Sequence, residues 1–517
     1  MPLKRLIYLS VILTFIGGVA LLCGWTDSVR DKATVNNGFV FNSRYSISSG
    51  SISVSESGTA NGENTTPNNP KKASVSTELS PENLRNLQFI VSRLRDLEFK
   101  NSVAVDNKTR DTLKIKMLED FEKSSNPAET AKIKKTLVKF GLVPPDINLD
   151  KFMADLYTEQ IAGYYDAEAK ELYTISPGSA DKVEPQKEIF GVPWERLTVI
   201  HEMTHALQDQ HFDLLSLPMD SLENDDLATA VKSLIEGEAT FVMYDYLFRQ
   251  GGLNMILLPD MSKSSEEAPP GANESIMEQA PPYIKEGLTF PYVKGVEFIK
   301  FIKGREGWAG IDKIYSDLPS STEQILHPQK YILEDRDYPV AVKLPELKED
   351  LPSNKWQVQL RNVMGEFNVE IILRQFLPTL RTEKIAEGWG GDEFMVWENN
   401  DSKQILLAWF VNWDTIRDAK DFFIAYNKLI NRKYQELESM KKDPLLRTWK
   451  ERNKDSFILL ERREQDVLII EGATQELLNT LTDSVWKGTS KELLKEVKRI
   501  DPNKKKELEK EKEKGKK

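Results

Sequence analysis

Histidine is the residue that most constrains this 517-residue chain. It holds four, and three of them, His201, His205 and His211, fall within eleven positions. The stretch around them, Leu197-Thr-Val-Ile-His-Glu-Met-Thr-His-Ala-Leu-Gln-Asp-Gln-His-Phe, contains no Gly or Pro and is predicted to be helical over about 193–211. Residues four apart share one face of a helix, so His201 and His205 point the same way. Leu197, Ile200 and Leu207 call for burial around them. Two imidazoles presented together from a buried helix can share one metal ion, and Glu202 stands beside them within reach of a water at that ion. The plain alternative is two histidines that pack or cap, and clustering in a chain so poor in His argues against it.

A tetrahedral zinc site with an open position needs a third protein ligand. Glu236, in Leu234-Ile-Glu-Gly-Glu-Ala-Thr, is the preferred one: it lies 31 positions after His205, about what a loop and a returning helix need. Gly237 and Ala239 are small enough to let two helices approach closely. Glu238 lies about 200° around the helix from Glu236, so both cannot ligate from one regular helix. The competing ligand is His211. His201, His205 and His211 have metzincin spacing, but that signature needs Gly three residues after the second His, and here Gln208 stands there.

Around this centre the chain divides by composition. Lys4 and Arg5 precede an uncharged run from Leu6 to Trp25, which reads as a signal peptide or a membrane anchor over 1–25. Leu22 precedes the single cysteine, Cys23, where a lipoprotein signal needs a small residue. Residues 26–78, rich in Ser, Asn, Gly and Thr, form a flexible linker with a short strand near 38–41. The domain that carries the zinc site is expected over 79–335. It opens with a helix capped by Ser80 before Pro81 and continues with helix across 109–140 and 150–161. A hairpin follows over 161–175, with further helices at 225–248 and, opening on Pro291, 291–303. A small α+β domain is expected over 336–487, with strand pairs at 394–397/405–411 and 457–460/467–470 and helices at 415–430 and 475–486. The Lys- and Glu-rich tail over 488–517 reads as solvated helix or disorder.

Residues 159–240 resemble the gluzincin class of zinc metallopeptidases, in the hairpin, the His201-Glu-Met-Thr-His205 helix and the Glu236-Gly-Glu-Ala element. Tyr292-Val-Lys-Gly295 and the segment from Ser321 to His327 are similar to elements of bacterial relatives of that class. The resemblance implies an α+β, zincin-like catalytic domain with Zn²⁺ on His201, His205 and Glu236, and an edge strand that binds extended peptide. It implies peptide-bond hydrolysis with Glu202 as general base, and an oxyanion donor for which His327 and Tyr292 are candidates. One position departs from the pattern. Thermolysin-like members carry Asp four residues after the ligand Glu, where it supports a ligand His. Thr240 stands there, so that support must come from elsewhere, Glu238 being one candidate.

The chain carries a net charge of −11 with no basic, aromatic-interleaved patch, which excludes nucleic acid as a partner. The partners expected are a peptide or protein substrate and, if the N-terminal segment is uncleaved, the membrane. The expected location is exported, in the cell envelope or outside the cell. With its one cysteine in the leader, the chain has no Cys-based metal site or disulfide beyond it. The reading from another class is a non-catalytic, zinc-stabilised envelope scaffold. Glu202 speaks against it, because a purely structural site does not need that residue. A transport or assembly factor without metal is the third reading.

Overall fold

The computed structural model describes residues 80–124, 126–160, 163–176, 188–189, 191–219, 223–258, 275–332, 334 and 336–501. The expected leader, linker and strand near 38–41 lie outside the described residues. What is described is α+β, helical in its N-terminal part and built on a β-sheet in its C-terminal region. Among the described residues no helix is long and apolar enough to cross a membrane.

The first helix, α1 (Pro81–Arg95), starts as its sequence suggests. Ser80 Oγ accepts the Asn83 N–H at 3.2 Å, Pro81 occupies the first turn, and Asp96 closes the helix with φ 60°. After strand β1 (Ala104–Thr109) come α2 (Arg110–Ser124), α3 (Pro127–Phe140) and α4 (Leu149–Gln160). Gly141, at φ 81°, ends α3 in the left-handed conformation that glycine tolerates best. The hairpin pairs β2 (Gly163–Asp166) with β3 (Glu171–Ser176), Tyr164 stacking on its cross-strand partner Tyr173 at 4.8 Å. Strand β1, not anticipated from sequence, pairs parallel to β3 and leaves β2 as the opposite edge of the three-stranded sheet. A short pair, β4 (Glu188–Ile189) and β5 (Val192–Pro193), leads into the central helix.

That helix, α5 (Trp194–Phe212), is buried without a break from Leu197 to Asp209. It packs between α1, strand β2 and α6 (Asp225–Gln250). The next helix, α7 (Pro282–Ile314), is longer than its sequence suggests. Pro291 lies inside it rather than at its start, and the chain breaks helical geometry at Gly307 (φ 66°, ψ −163°). Helices α6 and α7 cross at Gly237 and Gly295. A Cβ on Gly237 would sit 2.3 Å from the Gly295 carbonyl carbon, and one on Gly295 2.2 Å from the Ser233 carbonyl oxygen. Gly237 therefore does permit a close approach, but to α7, not to the His-bearing helix.

Short helices α8 (Thr322–Leu326) and α9 (Pro328–Ile332) and strand β6 (Val340–Lys343) lead to the C-terminal region. It comprises β7 (Trp356–Asn362), α10 (Gly365–Phe376), α11 (Thr382–Ala386), β8 (Trp389–Asn399), β9 (Ile405–Trp413) and α12 (Ile416–Lys433). Then follow β10 (Leu437–Lys442), β11 (Leu446–Glu451), β12 (Phe457–Arg463), β13 (Asp466–Ala473), α13 (Gln475–Gly488) and β14 (Ser490–Leu493). Both expected strand pairs are present, and β13 joins them to make a seven-stranded antiparallel sheet ordered β10-β11-β12-β13-β9-β8-β7. Alternate residues serve its two faces. Leu407, Trp409 and Val411 join a core continuous with the helices of the N-terminal part. Leu406, Ala408 and Phe410 join a second core under α13. Phe140 against Phe394 and Phe290 against Phe367 carry the first core across the expected boundary near residue 336.

As far as residue 501 the expected tail is paired with the rest of the chain, and residues 502–517 lie outside the described residues. Strand β14 pairs antiparallel with β6, and the chain then returns to the C-terminal end of α5. There Arg499 donates to the carbonyls of Phe212 and Tyr315 at 2.7 and 2.6 Å, and the Ile500 N–H donates to the Ser216 carbonyl at 2.7 Å.

Candidate metal centre

Helix α5 turns His201 and His205 to one side, toward Glu236 on α6. All three are buried, with exposures of 1, 4 and 9%. His201 Nε2 lies 3.0 Å from His205 Nε2 and 3.2 Å from Glu236 Oε2, and His205 Nε2 lies 3.3 Å from the same oxygen. Three donors bound tetrahedrally to one ion at the zinc bond lengths of 2.0–2.1 Å would stand roughly 3.3 Å apart. The observed triangle has nearly those edges, so the three side chains fit a single small cation without rearrangement.

The electrostatics say the same. Burial opposes charge on His205, yet Glu236 outweighs it and lifts its pKa to about 9. On His201 burial prevails and the pKa is lowered. Burial would raise the Glu236 pKa, but the two imidazoles outweigh that and hold it down at about 2. A buried carboxylate is thus matched to one positive charge at the meeting point of the two rings.

Glu202 is fully buried on the same helix, and its Oε2 accepts the Tyr165 backbone N–H of β2 at 2.7 Å. Tyr165 fastens the hairpin a second time, its hydroxyl donating to Asp209 on α5 at 2.8 Å. The outer edge of β2 therefore borders the centre. Tyr292 also reaches it. Its ring lies 6.1 Å from that of His201, and its hydroxyl donates to Glu236. Burial, with Glu236 and then Glu202 nearby, pushes the tyrosine pKa well up, so the hydroxyl stays protonated and can donate. The Gly237–Gly295 crossing sets this contact, since each glycine lies within a turn of the residue it positions.

Other sequence candidates go elsewhere. The His327 Nε2 pairs with Glu366 Oε1 of α10 at 2.8 Å. Its neighbours on α8 contact Asp226, ten residues or about 15 Å along α6 from Glu236. The His327–Glu366 pair belongs to the junction with the C-terminal region, not to the triad. Helix α5 continues straight through His211, whose Nε2 donates to the Glu98 carbonyl at 2.8 Å. Glu238 is fully buried and accepts from Arg95 and, at 2.6 Å, from the Tyr315 hydroxyl. A second group, Glu323, Asp337 and Asp414, also gathers carboxylates, but the Lys330 ammonium sits among them at 2.6, 3.0 and 3.2 Å and supplies their cation.

Sequence reasoning missed Gln208, read only as the absence of a glycine. Its Oε1 lies 2.8 Å from His205 Nδ1, and three-residue helical spacing was the available signal. It also missed that two buried atoms near the departure from the family pattern, His201 Nδ1 and Thr240 Oγ1, have no hydrogen-bond partner among the described residues.

Fold and site together define an α+β protein with a buried two-histidine, one-carboxylate centre beside a sheet edge. A family model described as a domain of unknown function (DUF8575) matches residues 356–482, from β7 into α13, and leaves the centre outside it. No curated protein matches the chain. Among solved structures, the chain is similar to a proposed hydrolase of novel fold from Chloroflexus aurantiacus. The match has 16% identity and a TM-score of 0.29, and covers 48% of this chain and 86% of that one. At that score the likeness carries no argument for fold or activity.

Proposed function

We propose that this protein is an exported, zinc-dependent metallopeptidase of gluzincin type with a zincin-like catalytic domain. The observation that carries the proposal is the triangle of His201 Nε2, His205 Nε2 and Glu236 Oε2, whose edges of 3.0–3.3 Å suit one tetrahedral ion. When bound there, Zn²⁺ would supply Lewis acidity, polarising the scissile carbonyl and acidifying water. The chain's own residues provide the rest. Glu202, oriented by the Tyr165 N–H, takes the proton of the attacking water and passes it to the leaving amine. The Tyr292 hydroxyl turns from Glu236 to donate to the developing oxyanion. An extended peptide lies along the outer edge of β2, where main-chain groups can pair with it. Export rests on the uncharged N-terminal run behind Lys4 and Arg5, and the same run anchors the protein in the membrane if it is not removed.

The deciding experiment is Glu202→Gln, which keeps shape and hydrogen bonding but removes the basic oxygen. Peptide-library digestion, with and without chelator, should show activity in the wild type and a drop of about 10²–10⁴-fold in the variant. Zinc content should stay unchanged. Full activity in the variant overturns the mechanism, and zinc-loaded wild type that cleaves no peptide favours a scaffold.

A further inference from the structure

The side chains behind His205 form a chain of buried hydrogen bonds whose direction is forced from one end. Arg95, the last residue of α1, is fully buried. It pairs with Glu238 Oε1 and, at 2.5 Å, with Asp312 Oδ1, and its guanidinium lies 4.4 Å from the Trp308 ring centroid. A guanidinium can only donate, so the Glu238 carboxylate accepts from it. The Tyr315 hydroxyl therefore donates to Glu238 Oε2 at 2.6 Å and is left to accept from Gln208 Nε2 at 3.0 Å. The Gln208 amide also donates to the Ile235 carbonyl at 3.0 Å, which can only accept and so confirms which end is nitrogen. Gln208 Oε1 then has one role left, to accept the proton of His205 Nδ1 at 2.8 Å. With that proton on Nδ1, the lone pair of a neutral His205 is on Nε2, facing His201 and Glu236.

We propose that the relay Arg95–Glu238–Tyr315–Gln208 is a positioning device that holds His205 in its metal-binding tautomer and orientation. Gln208 and Tyr315 are thereby determinants of metal affinity that touch neither metal nor substrate. The inference rests on the zinc reading above and deepens it. It explains why Glu238, two residues from the ligand Glu236, is not a ligand. It also explains how the centre manages with Thr240 where an aspartate would otherwise support a ligand histidine: the support is on the other imidazole and comes from the helix that carries it. The relay draws on α1, α5, α6 and α7, so the helices that hold the ligands are also held in register by the groups that orient one of them.

The test uses the full chain and Zn²⁺ alone, with affinity read by chelator competition. Gln208→Leu should weaken zinc binding by about 10–100-fold, the usual effect of losing a partner behind a metal ligand. Tyr315→Phe removes one oxygen and keeps the ring stacked on Phe212 at 3.8 Å. It should weaken binding in the same direction, near the lower end of that range. A second readout is the ring-proton NMR spectrum of zinc-loaded protein labelled at histidine, which four histidines keep simple. The His205 Nδ1 proton should exchange slowly in the wild type, shift in Tyr315→Phe and exchange fast in Gln208→Leu. Wild type that binds zinc, with both variants matching it in affinity and in this proton, overturns the relay alone. Wild type that holds no zinc overturns the metal reading and this inference with it.

Discussion

Replacing Gly295 with alanine tests how tightly the crossing of α6 and α7 governs the centre. The new Cβ would lie 2.2 Å from the Ser233 carbonyl oxygen and 2.9 Å from the Gly237 Cα, both backbone atoms of α6 that no rotamer change can move. Carbon–oxygen contacts settle at about 3.3 Å, so the two helices must separate locally by about 1 Å. Overpacking of this kind costs about 1–3 kcal/mol, and a backbone-to-backbone clash belongs at the upper end. The displacement also carries Tyr292, three residues earlier on α7, away from Glu236 and His201. A misplacement of about 1 Å at a reacting group can lower turnover by about 10²-fold. The ligands stand on α5 and α6, so zinc stoichiometry should hold. Urea unfolding, metal analysis and peptide turnover on the same preparation separate these effects. A Gly295→Ala protein with unchanged unfolding midpoint and turnover would refute the claim that this crossing positions Tyr292.

Two further substitutions address the carboxylates. Glu236→Ala should lose zinc while remaining folded. Glu238→Ala leaves the buried Arg95 without its closest partner, and should destabilise the fold by about 3–5 kcal/mol in chemical denaturation. The reverse pattern would exchange their assigned roles. Asp226 supplies a pH test. Burial pushes its pKa up to about 8, Thr322 opposing and Asp392 and Glu366 reinforcing the shift. The folded state keeps the proton that the unfolded chain has lost, so this group's contribution declines between its ordinary value near pH 4 and pH 8, and levels off above. Asp226→Asn mimics the protonated form, and its unfolding midpoint relative to wild type should therefore rise from pH 5 to pH 8. A constant difference across that interval would show that Asp226 does not titrate there.

What was legible from sequence was what local chemistry dictates. Ser80 and Pro81 announce α1, helical spacing aligns His201 with His205, and aromatic residues around a polar turn mark the hairpin. The strand pairs around 394–411 and 457–470 were legible because they are strongly apolar. Their union through β9 and β13 was not, since sheet order depends on pairings between distant segments. Pro291 misled because proline favours a helix's first turn, and packing of α7 against α6 outweighed that preference. His327 looked catalytic by its chemistry alone, and only tertiary structure shows its imidazole turned to Glu366. Gln208, Tyr315 and Arg95 were invisible because no local pattern relates them. They lie on two helices and at the end of a third, and meet only when these pack.

The closing strap has a consequence in time. Arg499 grips carbonyls 287 and 184 positions earlier in the chain, at Phe212 and Tyr315. A polypeptide made from its N-terminus forms early segments first. Every ligand and relay residue has therefore been synthesised long before the segment that ties down the end of their helix. A chain terminated just after α13 would possess the complete centre and lack this clasp. The grip of residues 499 and 500 can therefore close over the end of α5 only after every ligand and relay residue is already in the chain.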